Sequence, residues 1–308
     1  MSGTDHYEGT VVAGGGGLYR VKVGEATLTC SLRGRLRREG AGASRLFIGD
    51  VVRVSLSGPD RGVIEAVQPR TAAWTRLDPL LPLAHTTAVN VQLAVIVLAA
   101  REPLFNIQTA ERYLVQARSG GLEPVVCINK VDLAADREDL DRAAAELRQN
   151  GVGVHLTSTV TGEGLADLVT MLSGHSSVFL GPSGVGKTSL LNALQPGAGL
   201  ATGAVSGSGR GRHTTTAVRA VQLDTGLAID TPGQRTLGLW GAGEDDLASA
   251  FPDIVAVANE CRFRDCTHTH EPGCAVKTAL ESGSIDERRY RHYVRLRKGL
   301  NGPARKPS

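Results

Sequence analysis

The sequence predicts a multidomain chain: a small N-terminal β-barrel, a central doubly wound α/β domain and a C-terminal helical, metal-binding unit. Three observations predict it. Residues up to about 70 carry short alternating segments between turn residues. From Val89 onward, apolar strand patterns alternate with helical ones. After Gly243 strand signals stop, and helical segments flank a Cys/His cluster. A chain of 308 residues also exceeds what one hydrophobic core usually serves, so two or three domains are expected.

The first domain is placed at residues 1–72. Val11–Val12 precedes the glycine run Gly14–Gly17; Leu18–Val23 and Glu25–Leu32 alternate; Asp50–Leu56 and Gly62–Val67 complete the set, each beside Gly, Pro or Asp. Short strands at such spacing suit an antiparallel barrel. Residues 73–88 read as a linker, with Pro79 and Pro82 inside it. The α/β domain is placed at 89–242. Leu93–Ala99 is a continuous apolar run, as a buried parallel strand requires. Asn106 is placed to cap a helix through Ala117, followed by a strand at Pro124–Asn129, a helix at Glu138–Gln149, a strand at Val152–Thr157 and a helix at Leu165–Leu172. Val178–Leu180 then leads into a glycine-rich loop, Lys187–Leu194 opens a helix, and Ala217–Leu223 and Leu227–Asp230 form a hairpin over Asp224–Gly226. The last unit, 243–308, carries helices at Asp245–Phe251 and Ser284–Leu296 and a frayed tail from Asn301.

Composition narrows the setting. Hydrophobic residues make up 41% and charged residues 21%, as in ordinary globular proteins, and the net charge is only +3. The longest apolar run, Val89–Ala100, is shorter than the roughly 20 residues a membrane span needs. The five cysteines do not form a disulfide framework, and the N-terminus lacks the regions of a signal peptide, so a reducing, cytoplasmic setting and no membrane partner are expected. A monomer is expected. Basic residues concentrate at Arg33, Arg35, Arg37 and Arg38, and at Arg288, Arg289, Arg291, Arg295, Arg297 and Lys298.

Four segments carry nucleotide chemistry. Gly181-Pro182-Ser183-Gly184-Val185-Gly186-Lys187-Thr188-Ser189 follows an apolar strand and opens a helix. Its glycines let backbone N–H groups wrap phosphates, Lys187 adds a positive charge at the β- and γ-phosphates, and Thr188 is placed to hold Mg²⁺. Asp230-Thr-Pro-Gly233 ends a strand, where the aspartate can hold Mg²⁺ and the glycine N–H can meet the γ-phosphate. Asn129-Lys130-Val-Asp132 reads guanine: Asp132 accepts from N1–H and the exocyclic amine, a donor pair adenine lacks. Asn129 is placed to tie the base to neighbouring loops, and Lys130 to lay its stem over the ring. Thr157-Ser158 ends the next strand, where a backbone N–H is placed to meet guanine O6. The fourth segment, Gly211-Arg-His213-Thr-Thr215-Thr216, lies in a Gly/Ser-rich stretch. Thr215, with Thr214 as the alternative, completes the Mg²⁺ shell when GTP is bound. The guanine reader precedes the phosphate loop, the reverse of the ordinary GTPase order. Circular permutation explains that order, since domain termini often lie close together.

Cys261, Cys266, His268 and Cys274 supply three thiolates and one imidazole within fourteen residues, a donor set for a closed structural Zn²⁺ site, one per chain. His270 competes with His268 for the imidazole position.

The combined set resembles the RsgA family of circularly permuted small-ribosomal-subunit biogenesis GTPases. The resemblance rests on Cys30-Ser-Leu-Arg-Gly-Arg-Leu-Arg37, Gly49-Asp50, NKVD, TGEGL at Thr161–Leu165, GPSGVGKTS, GRHTTT, DTPG and CRFRDCTHTHEPGC, and runs over nearly the whole chain. It implies an N-terminal OB-fold, a permuted P-loop GTPase domain and a zinc domain. It also implies late maturation of the small (30S) subunit, binding to its rRNA, and ribosome-stimulated hydrolysis of GTP to GDP followed by release. Tyr7, Tyr19 and Phe47 are the aromatics available to the barrel for stacking. For the residue that orients the attacking water, the resemblance implies His213, whereas Gln234, directly after the DTPG, occupies the place of the water-orienting glutamine of many GTPases.

Overall fold

The computed structural model describes residues 6–15, 17–34, 36, 46–77, 84–197, 200, 218–224, 226–233, 238–239 and 241–300. Strands β1 (His6–Gly15), β2 (Leu18–Val23), β3 (Ala26–Leu32), β4 (Val51–Gly58) and β5 (Arg61–Val67) close into a barrel in the order β1-β2-β3-β5-β4, sealed by antiparallel β1–β4 pairing. β3 and β5 pair in parallel. Alternation delivers Val21, Leu28, Cys30, Val52, Val54 and Ile64 to the inside. Strand β1 is longer than the sequence pattern indicates, because its glycines stay paired with Leu18–Tyr19 in the ladder. Where the chain leaves the barrel, the buried Asp50 carboxylate accepts from the Phe47 amide (2.8 Å) and from Arg70 Nε and Nη2 (2.7 and 2.9 Å).

The segment expected as a linker is itself paired. β6 (Ala73–Leu77) and β7 (Ala84–Val89) form an antiparallel hairpin. Pro79 and Pro82 lie outside the described residues, and the strands on either side of them were masked in the sequence by those prolines. Trp74 is fully buried and stacks on Tyr113, with ring centroids 6.3 Å apart, so the hairpin is anchored to the α/β core. Asn90 joins three parts: its side chain accepts from the Thr71 amide (2.9 Å) and donates to Gly49 O (3.1 Å), and its own carbonyl accepts from Ser176 Oγ (3.1 Å).

The central sheet comprises β8 (Leu93–Ala99), β9 (Glu123–Asn129), β10 (Gly153–Leu156), β11 (Ser177–Leu180), β12 (Arg219–Leu223) and β13 (Gly226–Asp230), in the order β10-β9-β8-β11-β13-β12. All neighbours are parallel except β12–β13. On β8, Ala94, Ile96 and Leu98 face the cluster that includes helix α1 (Ile107–Ser119) and α2 (Arg137–Gln149). Leu93, Val95 and Val97 face the cluster with α3 (Leu165–Leu172) and α4 (Lys187–Leu194). Both faces are covered, which explains the unbroken apolar run. Successive strands β8, β9 and β10 step one way, and β11 crosses to the other side of β8. The crevice at that switch is where open α/β sheets bind ligands. Asn106 caps α1, its side chain accepting from the Gln108 amide at 2.9 Å.

The C-terminal unit holds α5 (Glu244–Ala250), α6 (Pro252–Ala258), α7 (Ala275–Glu281) and α8 (Glu287–Leu300). The sequence pattern shows α5 and α8 but not α6 and α7, which span two turns each and are held by packing rather than by their own periodicity. The unit packs on the α1 face of the sheet through Leu247, Phe251, Ile254 and Tyr293. A buried ion network fixes it there. Arg289 Nη1 donates to Glu111 Oε1 (2.6 Å), Arg289 Nε and Nη2 donate to Asp253 (2.6 and 2.5 Å), and His292 Nδ1 lies 2.5 Å from Glu111 Oε2. The Arg289 guanidinium also lies over the Phe251 ring, 4.6 Å from its centroid. Among the described residues no helix is long and apolar enough to cross a membrane.

Glu111 is fully buried and Arg289 is 4% exposed, so removing one partner strands a charge. Arg289→Met is expected to lower the unfolding free energy by about 3–5 kcal/mol, read as a lower urea midpoint by circular dichroism.

Candidate functional site

The phosphate loop joins β11 to α4 at the sheet's switch point. Gly181 has φ +140°, and a Cβ there would stand 2.1 Å from Val97 O, so only glycine lets the loop start so close to β8. Val185 is buried and pins the loop to the α3–α4 side of the core, while Ser189 lies half-buried in the first turn of α4. Lys187 is buried, and its Nζ donates to Gly181 O (3.0 Å) and Pro182 O (2.9 Å), placing the ammonium inside the curl of the loop. Burial pulls its pKa down from 10.5 to about 8, against the attraction of Asp230.

The strand-end aspartate meets the loop directly. Thr188 Oγ1 donates to Asp230 Oδ2 at 3.0 Å. The other oxygen, Oδ1, is buried with no hydrogen-bond partner. Burial raises the Asp230 pKa, opposed by the Thr188 hydrogen bond and by Lys187. An orphaned carboxylate oxygen beside a threonine hydroxyl is a donor set for a hard divalent cation, and the pair fits Mg²⁺. Gly233 lies against the same loop: a Cβ would come within 2.6 Å of Ser183 Cα and 2.8 Å of its amide nitrogen, so no larger residue fits.

The NKVD segment closes the other side. Asn129 Nδ2 donates to Val185 O (3.0 Å), and Asn129 Oδ1 accepts from Thr157 Oγ1 (3.3 Å), tying three loops together. Lys130 takes a left-handed conformation, φ +60°, and its Nζ donates to Gly184 O and Glu102 O, both at 2.7 Å. Burial lowers its pKa. Asp132 accepts from Ser158 Oγ at 2.5 Å. The structure corrects one expectation here. The Thr157 amide donates to Ile128 O (2.8 Å) and the Ser158 amide to Glu163 O (3.0 Å), so neither is available to guanine O6. These two residues brace the base reader through their hydroxyls instead. Glu102, in the loop after β8, was missed by the sequence reading because it contributes only a carbonyl, which no side-chain motif reveals.

His213, Gln234, Thr214 and Thr215 lie outside the described residues.

In the C-terminal unit the ligand atoms of Cys261, Cys266, His268 and Cys274 all lie within 4.8 Å of one another. His268 Nδ1 is 3.6 Å from Cys261 Sγ and 3.6 Å from Cys274 Sγ, and those two sulfurs are 3.9 Å apart. A tetrahedral zinc with ordinary bond lengths requires edges of about 3.6 Å (S–N) and about 3.8 Å (S–S), so the donors fit. His268 lies in the cluster and is buried, whereas His270 is exposed. α8 holds the loop from behind, with Tyr290 Oη donating to His268 O (2.6 Å) and Arg297 Nη1 to Cys266 O (2.8 Å).

The basic runs divide on inspection. In α8, Arg289 is buried, Arg288 pairs with Glu146, Arg291 with Glu287, and Arg297 holds the metal loop, leaving Arg295 and Lys298 as exposed cations outside these structural contacts. Arg33 pairs with Glu65; Arg35, Arg37 and Arg38 lie outside the described residues. Of the barrel aromatics, Tyr7 is exposed, Tyr19 packs against the barrel core and Phe47 is covered by Arg70.

A family model described as the RsgA GTPase matches residues 67–240, and one described as the RsgA N-terminal domain matches residues 8–64. The chain belongs to the RsgA GTPase family. It is accordingly a GTP hydrolase with a guanine-nucleotide site in a circularly permuted domain. Among its relatives, the small ribosomal subunit biogenesis GTPase RsgA of Gemmatimonas aurantiaca is 40% identical over 300 residues, covering 96% of this chain and 97% of the relative. That of Moorella thermoacetica is 39% identical over 290 residues, covering 93% and 95%. The crystal structure of YjeQ from Thermotoga maritima superposes with a TM-score of 0.76 at 31% identity, covering 97% of this chain and all of that one. YloQ, described as a circularly permuted GTPase, gives 0.74 at 32% identity, covering 98% of each chain.

The Lys187 shift has a sign that binding can read. Its folded pKa of about 8 lies below 10.5, so between those values the unfolded chain holds the proton that the fold has lost. Stability from this group therefore rises with pH across that window, and the penalty is fully present below about 8. Phosphate oxygens require the protonated form. GDP affinity is expected to fall roughly fourfold between pH 7 and 8.5 as Lys187 deprotonates, measured by equilibrium titration.

Proposed function

We propose that this chain acts in late maturation of the small ribosomal subunit, binding the subunit's rRNA, hydrolysing GTP when the assembled subunit stimulates it, and then leaving. The observation that carries the reading is that the phosphate loop, Asp230 and the NKVD segment meet at one end of the sheet, in a chain that also gathers a Cys/His cluster. It is supported by two near-full-length relatives that are themselves named small ribosomal subunit biogenesis GTPases.

The chemistry follows from the residues. Asp132 accepts the guanine N1–H and amine, Asn129 and Ser158 hold the reader in place, and Lys130 covers the base. Loop amides from Ser183 to Thr188, with Lys187, take the β- and γ-phosphates and neutralise charge as the γ-phosphoryl group leaves. Thr188 and Asp230 would hold Mg²⁺, with Thr215 joining them in the GTP state, and the ion would supply positive charge against the phosphate oxygens. Gly233 donates its amide to the γ-phosphate, so loss of that phosphate releases the segment leading to α5. His213 or Gln234 orients the attacking water. Zn²⁺ on Cys261, Cys266, His268 and Cys274 is structural, since four protein donors leave no open position. The protein works as a cytoplasmic monomer.

GTP turnover measured with and without small subunits tests the reading. Wild type is expected to be strongly stimulated and Lys187→Ala to lose the stimulation; equal, unstimulated rates for both would sink it. His213→Ala and Gln234→Ala in the same assay assign the water to whichever variant loses stimulated turnover while keeping nucleotide affinity. The metal reading predicts one zinc per chain by atomic absorption, and none in Cys274→Ser, whose C-terminal helices should then lose protection from proteolysis.

A further inference from the structure

Between the metal ligands Cys261 and Cys266 lies a four-residue knuckle, Arg262-Phe263-Arg264-Asp265, all of it exposed. The Phe263 ring is 40% exposed, although no packing requires an aromatic there, and it joins none of the three hydrophobic clusters. The ring is nonetheless held. The Arg262 guanidinium lies over it, 5.4 Å from the centroid. The Arg262 amide donates to Gly273 O (3.1 Å), and Phe263 O accepts from the Cys266 amide (3.3 Å), so both ends of the knuckle are fixed to the metal loop. Zn²⁺ held by Cys261, Cys266, His268 and Cys274 would complete the frame. The result is an exposed aromatic ring backed by the Arg262 guanidinium, with Arg264, also exposed, next in the chain. Arg295 and Lys298 add exposed positive charge on α8, the helix that grips this loop through Tyr290 and Arg297. Asp265 is the one acidic residue of the knuckle.

We infer that Phe263 is a stacking platform for an unpaired RNA base, with Arg262 and Arg264 taking the adjoining phosphates. The chemistry is specific to unpaired nucleic acid. A base stacks on an exposed aromatic face only when free of its own helix, and the two flanking guanidinium groups match the phosphates on either side of it. The inference rests on the small-subunit reading above and specifies which part of the C-terminal unit touches RNA and how.

The experiment uses the full-length, zinc-loaded chain. Affinity for small subunits and for their protein-free rRNA is measured for wild type, Phe263→Ala and Phe263→Trp. Phe263→Ala is expected to weaken both affinities roughly tenfold, the loss of one base stack, with zinc content and unstimulated GTP hydrolysis unchanged. Phe263→Trp is expected to keep both affinities, and its added emission to be quenched on binding rRNA. Undiminished affinity in Phe263→Ala overturns the inference. So does a loss confined to whole subunits with rRNA binding intact and no quenching, which would mark a protein contact. If Phe263→Ala loses zinc, Phe263→Leu, which keeps the bulk and removes the π-face, is judged by the same criteria. Wild type that binds no subunits and shows no stimulation removes the small-subunit reading, and this inference with it; subunit binding with full affinity in Phe263→Ala removes the inference alone.

Discussion

The nucleotide site depends on how closely backbone can approach backbone at one edge of the sheet. Val97 O stands against Gly181, and Pro182 O and the Ser183 amide stand against Gly233, so the two glycines leave the room for it. That closeness expels water, and an ammonium is then held by two loop carbonyls instead. The cost is visible in Lys187, whose pKa burial has drawn down to about 8, and in Asp230, which keeps one oxygen unpaired. Both defects are remedied by the same ligand, a phosphate chain with its cation. Phosphate oxygens would pair with the Lys187 ammonium, and a divalent cation would take the free Asp230 oxygen.

Permutation leaves this geometry untouched because the sheet order does not depend on where the chain is cut. β9, which carries Asn129, and β11, which carries the phosphate loop, flank β8 on opposite sides in space, whichever comes first in sequence. Permutation changes what is attached. The strand ending at Asp230 now leads toward the C-terminal unit, while the far end of that unit returns to α1 and pairs with Glu111. α1 follows the loop in which Glu102 accepts from Lys130. The C-terminal unit is therefore coupled to the site at both the phosphate end and the base end, once through the chain and once through a buried ion pair.

The barrel is joined differently. Asn90 satisfies backbone groups of the barrel exit, the hairpin and the sheet together, and Trp74 buries the hairpin against α1. The C-terminal unit is joined to the same α/β core through Arg289, which donates to Glu111 of α1 and to Asp253.

Most of the fold and the chemistry of the site were legible in the sequence, since both depend on local signals. Period-two and period-3.6 patterns located the strands and helices, including α3 and α4 to the residue, and short motifs located phosphate, guanine and metal donors. Non-local facts were not legible. Prolines hid the hairpin, whose strands pair with each other and whose Trp74 stacks on Tyr113. Helices α6 and α7 are too short to show a period of their own. A sequence cannot show that the Thr157 and Ser158 amides are already spent, because their acceptors, Ile128 O and Glu163 O, come from other segments. It cannot separate Arg289, a buried structural ion, from the exposed Arg295 on the same helix, nor His268 from His270. By itself the sequence determined which groups are present and in what order, since composition and spacing are properties of the chain. Only the tertiary structure decided which of them are already satisfied and which still face outward, since hydrogen bonds and burial are settled by neighbours distant in sequence.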